Sequence, residues 1–172
     1  MIYDAERAKL WVECGVRWSA KDLPFIMLNI QMLGHGEAPL SGFEAVVGEL
    51  IVSGDQSENH LLLTSQCFAL STYWVFGLYE LLRKLREGLG PAFAPLSSIF
   101  HDVEIIRMPL AKHEVKSAPK YRGVWHYPTL IYEPNTGRVG WSVFDPANEV
   151  MISLFRGDIA DRFLAVKRLN HE

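Results

Sequence analysis

Arg107 and His113 stand six positions apart in the run Arg107-Met108-Pro109-Leu110-Ala111-Lys112-His113, straight after an apolar stretch and straight before Glu114. Histidine titrates close to neutrality and moves a proton in either direction, whereas arginine is permanently charged and offers a fixed fork of donors that fits phosphate oxygens. Together such groups can cleave a phosphodiester without a metal. His113 would handle the proton of an attacking ribose 2′-hydroxyl or of the leaving oxygen, and Arg107 would hold the charge on the phosphorus-bound oxygens. The same residues also have a plain structural use, with Arg107 as a cation near a helix C-terminus and His113 as a surface residue beside Glu114. Lys112, Lys116, Lys120 and Arg122 follow, interleaved with Tyr121, Trp125 and Tyr127, so phosphate partners alternate with rings on which bases stack. A basic loop running into an aromatic strand has that composition too. Glu80, the one carboxylate in the apolar half of a long helical run, is a third candidate catalytic group. Its i,i+4 relation to Lys84, like that of Arg83 to Glu87, also fits a solvated polar face.

Other chemistry is sparse. The chain has no phosphate-binding glycine loop, no GxGxxG, no GxSxG and no HExxH. His35, His60, His101 and His126 lack metal-ligand spacing, although His60 and Cys67 share a helical face, so neither metal nor cofactor is expected. Arg156-Gly157-Asp158 spells an adhesion tripeptide, but in a cytosolic chain it reads as a strand end, a turn and a helix cap.

The elements that position these groups change character near Lys112. Before it, apolar residues recur at helical spacing; after it, β-branched and aromatic residues lie between Pro, Gly and Asn turns. A first helix is expected over residues 4–18, with Leu10, Cys14 and Arg17 or Trp18 on one side. Residues 25–33 are apolar without a deciding period, and 34–39 read as a loop. Ser41 and Glu44 have capping-box spacing, which predicts a helix over 41–53. A long helix should cover 58–87 and end at Gly88-Leu89-Gly90-Pro91, and another should cover 94–107 and stop before Pro109. Strands are expected at 127–133, 138–144 and 149–155, with a hairpin turn at 134–137. Asp158 should cap a closing helix whose Ile159, Phe163 and Val166 share a face.

The fold class is therefore α+β: a bundle of four or five helices over residues 1–111, then a three-stranded antiparallel meander and a final helix over 112–172, all in a single domain. This order of elements, with Arg-x5-His at the break after a long central helix and a second helix, resembles the HEPN superfamily of helical-bundle ribonucleases. The resemblance covers roughly residues 41–118. It implies that Arg107 and His113 are a catalytic pair, placed in that family usually at a dimer interface, with RNA as substrate. The chain departs from the family pattern at Met108, where a polar residue is common, and in Pro109 and Pro119, which leave little helix to carry the histidine. The β meander lies outside the family's basic bundle.

Composition bounds the remaining readings. The chain has 172 residues, is 49% hydrophobic and 12% aromatic, and carries a formal charge of −3, so it can bury a full core but has no global basic field for nucleic acid. Any RNA contact must then be local. Cys14 and Cys67 form no CxxC pair or disulfide framework, and the acidic first residues lack the pattern of a signal peptide; both point to the cytoplasm. Residues 61–79 carry no charge and precede Arg83, Lys84 and Arg86, the pattern of a membrane span, but Thr64, Ser65, Gln66, Ser71 and Thr72 favour a buried helix in a bundle or homodimer. Two alternatives to a ribonuclease stand beside it. One is a non-enzymatic dimeric or antitoxin-like module that meets a protein partner through its aromatic β face. The other is a small-molecule binder whose pocket is lined by Trp74, Trp125 or Trp141.

Overall fold

The computed structural model describes residues 3–19, 23, 25–54, 57–113, 115, 120 and 126–167. The order is α1 (Ala5–Trp18), α2 (Ile26–Ser53), α3 (Glu58–Leu89), a 3-10 segment (Gly90–Leu96), α4 (Ser97–Lys112), β1 (Thr129–Glu133), β2 (Arg138–Asp145), β3 (Val150–Phe155) and α5 (Arg156–Ala165). The expected α+β class is correct: helices, then an antiparallel sheet in the order β1-β2-β3, then a closing helix.

Capping explains where the helices begin. Asp4 accepts from the Arg7 amide at 2.9 Å, and Ser57 accepts from the His60 amide at 3.2 Å, so each satisfies one of the amides that a first turn leaves unpaired. The β1–β2 hairpin closes at residues 134–137, where Gly137 takes φ +68° and its amide donates to the Glu133 carbonyl at 2.9 Å.

Local signals mislead at four places. The expected loop at 34–39 and the expected helix start at Ser41 do not exist: α2 runs unbroken through Pro39, and residues 25–33 resolve as its first turns. Proline there costs one helical hydrogen bond. Packing offsets it, because Ala38 and Leu40 are buried and Gly34 lets Trp11 of α1 so close that a Cβ at Gly34 would stand 2.1 Å from Trp11 Cβ. Second, α4 passes Pro109 and ends only at His113, which takes the left-handed conformation with φ +58°; its start shifts from 94 to Ser97 because Pro91 and Pro95 hold a 3-10 segment. Third, the buried side of α1 is Trp11, Cys14, Gly15 and Trp18, with Leu10 outside it at 47% exposure. Fourth, α5 starts at Arg156, so Asp158 lies in its first turn rather than at its cap.

Two apolar clusters join the two halves, a small one of Val47, Cys67 and Phe68 against Val139 and a main one. Trp11, Trp74, Leu78, Leu82 and Ile106 from the helices meet Trp141 and Val143 of β2 and Ile159 and Phe163 of α5. Trp11 stacks on Phe163 with ring centres 5.5 Å apart and meets Trp74 edge-on at 6.0 Å. The helical stretch Glu58–Lys112 holds a window long and apolar enough to cross a membrane, 33% of which is buried inside the fold, a test that core helices of soluble proteins also pass.

Candidate functional site

Arg107 lies within α4, whereas His113 is its C-cap and takes the left-handed conformation, so the helical repeat that places Arg107 does not place the imidazole. Arg107 is half-buried, its guanidinium 4.7 Å from the centre of the Tyr79 ring of α3 and its Nη1 3.5 Å from Met108 Sδ. His113 is exposed and stacks on Tyr127 at 5.7 Å, while its carbonyl accepts from the His126 amide at 3.0 Å. Each charged or titratable head thus rests on a tyrosine, and the α4 terminus is tied to the chain entering β1.

Glu80 is exposed and paired with Arg83 at 2.9 Å, and Glu87 binds both Arg83 and Lys84, so this side of α3 is an ion-pair ladder. Lys112 is exposed at the end of α4. Lys120 meets Glu149 at 2.6 Å. Lys116, Arg122 and Trp125 lie outside the described residues. Of the remaining tryptophans proposed for a pocket, Trp141 is wholly buried, whereas Trp74 lines an apolar groove of about 780 Å³ between α2 and α3, with Met32, Pro39, Phe43, Leu70 and Tyr73. Among the described residues no group of three or more His, Cys, Asp or Glu could hold a metal ion.

The strongest electrostatics lie elsewhere, where Arg156, Asp158 and Glu44, expected as strand-end and cap residues, join Arg7, Glu37, Arg138 and Asp161. Arg156, 1% exposed, donates from Nη1 to Glu37 Oε1 at 2.9 Å and from Nε to Glu44 Oε1 at 2.7 Å, and its guanidinium lies 5.5 Å from the Trp74 ring centre. Glu37 Oε2 accepts from Arg7 Nε at 2.8 Å and from Trp11 Nε1 at 3.2 Å. Arg7 continues to Asp161, and Arg138 of β2 bonds Asp161 and Asp158. These groups wall a polar cavity of about 350 Å³. The adhesion reading of Arg156-Gly157-Asp158 fails here, since its arginine is interior.

The two buried glutamates are held differently. Burial pushes Glu37 up, but hydrogen bonds and charge from Arg7 and Arg156 outweigh it and leave its pKa below the usual carboxylate value. Burial also pushes Glu44 up, and Arg156, opposed by the nearby charge of Glu37, does not bring it back. Next to this network the Cys67 thiol is driven up to about 12 by burial and by Glu44, and Cys14 to about 11 by burial, so both thiols are unreactive at neutral pH. A signal for the network was present: Glu37 and Glu44 are two turns apart in a helix none of whose 28 residues is Lys or Arg, which demands a cation from a distant element. The chain matches no known protein family, no curated protein and no solved structure.

Proposed function

We propose that this chain is a cytoplasmic, metal-independent RNA-cleaving or RNA-binding protein, HEPN-like in kind, that works as a homodimer. The observation that carries the reading is the α4 terminus, where a permanent cation and an imidazole six residues apart are each seated on a tyrosine ring. The exposed Tyr127 ring beside His113 is a surface on which a base can stack while its phosphate meets a nearby charge, whereas Tyr79, stacked on Phe100, seats Arg107. Because Arg107 and His113 rest on different rings, Tyr79 of α3 and Tyr127 before β1, they would bracket a phosphodiester or act across two subunits. Exposed Leu62, Leu70 and Tyr73 recur along α3 at i, i+8 and i+11, beside exposed Met32 on α2, and this apolar surface supports association of two copies. The buried free thiols fit a reducing compartment.

The test is incubation of purified protein with mixed single-stranded RNAs in EDTA. Wild type should cleave RNA and leave DNA intact, since DNA lacks the 2′-hydroxyl. His113→Ala should lose activity by about 10²- to 10⁴-fold with its unfolding transition unchanged. Lys112→Ala should weaken binding across sequences and lower the salt slope by about one. Neither cleavage nor binding at low salt would reject the nuclease and leave the groove beside Trp74 to support a non-enzymatic interaction module. A monomer by light scattering at micromolar concentration would reject the dimer.

A further inference from the structure

The cavity walled by α1, α2, the β1–β2 turn and α5 contains charge that the fold only partly consumes. Each guanidinium around it is already engaged twice: Arg7 by Glu37 and Asp161, Arg138 by Asp158 and Asp161, Arg156 by Glu37 and Glu44. Three arginines thus line the cavity with four carboxylates, Asp4, which caps α1, Glu37, Glu44 and Asp161: an excess of one negative charge when all are ionised. The carboxylates are not equally satisfied. Both oxygens of Glu37 accept hydrogen bonds, whereas Glu44 accepts only at Oε1, and among the described residues no group donates to its Oε2. The Glu44 side chain is 6% exposed and lines the cavity beside Ser41, with Thr136 and Gly137 on the opposite, β-turn side.

We propose that this cavity binds a small organic cation, an alkylammonium or alkylguanidinium, whose donor group sits on Glu44 Oε2. An anion gains little there, because each of the three arginines already has its charge set against two carboxylates. A cation meets an oxygen with spare acceptor capacity on a largely buried carboxylate in a site of negative balance, with the Ser41 and Thr136 hydroxyls able to accept further hydrogen bonds. At about 350 Å³ the cavity is at the small end of the range for ligand pockets. The groups facing Glu44 are Arg156 from α5, Arg138 from β2, Glu37 two turns earlier on α2 and the Cys67 thiol from α3. Burial lifts the pKa of Glu44, so the cation must bind its ionised form and should release a proton where the free carboxyl is protonated.

The experiment is a titration of the full chain with agmatine and with methylguanidinium, followed by calorimetry and backbone amide NMR, against glycerol as a neutral probe and acetate as an anion. Both cations should bind saturably at millimolar concentration or below, with shifts centred on Ser41, Glu44 and Thr136, and with affinity that falls as pH is lowered from neutrality. Glu44→Gln keeps an acceptor for Arg156 and should weaken binding about ten- to hundredfold, the worth of one charge-assisted hydrogen bond. Ala45→Phe, at an exposed position of the cavity wall, should block binding while leaving the fold intact, and it decides the matter if Glu44→Gln unfolds. No saturable binding of either cation, equal binding of glycerol or acetate, or full binding by Ala45→Phe would overturn the proposal.

Discussion

Two arginines in this chain do opposite things with the same chemical group. Arg107, at the end of α4, touches one ring and one thioether and keeps part of its guanidinium in water. Arg156, at the start of α5, is interior, lies beside Trp74 and ties down two glutamates from a helix more than a hundred positions earlier. Near water a charge costs little whether or not it is paired, so a surface arginine is available for a ligand. In the interior the same charge survives only with its partners in place, so it reports on the architecture.

That contrast breaks most visibly at Arg156. Arg156→Ala leaves Glu37 and Glu44 buried without their shared cation and should cost about 3–5 kcal/mol in urea-induced unfolding, the range for removing one partner of a buried pair. A loss comparable to that of a surface substitution would mean that the interior network is not what docks α5. Next in size is Gly34→Ala. Its new methyl would collide with the Trp11 side chain, and overpacking of this kind costs roughly 1–3 kcal/mol.

Acid provides a graded version of the same test. The folded pKa of Glu37 is held below the model-peptide value of 4.5, so its contribution is present above that pH and is lost as pH falls through the folded value. Glu44 runs the other way: its folded pKa is above 4.5, so its contribution is complete below that pH and is lost as pH rises through the folded value. Unfolding free energy followed against pH should therefore decline on the acid side for wild type. Glu44→Gln should remove the decline that begins above 4.5 and leave the acid-side decline, while Glu37→Gln should do the reverse. The smallest effect belongs to Arg107→Ala, which removes one partly solvated cation–π contact worth about 0.5–1 kcal/mol and yet should abolish RNA cleavage. Cleavage that survives this change would leave Arg107 with a packing role only.

The elements most legible in the residues were those with punctuation of their own. The long apolar run expected over 58–87, closed by Gly88-Leu89-Gly90-Pro91, and Pro134-Asn135-Thr136-Gly137 between two aromatic strands carry their conformations locally, and both appear, the helix as Glu58–Leu89. Pro39 and Pro109 were misread because the same residue that ends an isolated helix is carried through when both flanking turns are packed, and that packing partner is remote in sequence. The capping-box spacing of Ser41 and Glu44 failed for a related reason. Glu44 has a stronger engagement than a backbone amide, with an arginine 112 positions later that no local window contains. Arg107 and His113 were visible as a motif, but their orientation was not, because it depends on α4 continuing past Pro109 to the left-handed turn at His113.

The reach of the Arg156 pairs bears on how the chain matures during synthesis. Glu37 and Glu44 emerge from the ribosome 119 and 112 residues ahead of Arg156, so for most of translation α1, α2 and α3 must either associate with Glu37 held by Arg7 alone and Glu44 without its cation, or wait. Protonation of Glu44, which burial favours, would ease that interval, and the arrival of Arg156 just after β3 would then act as a latch that closes the helical half on the sheet. Nascent chains arrested before residue 156 should accordingly be more protease-sensitive than the released protein, even though every residue of α1 to α4 has already been made.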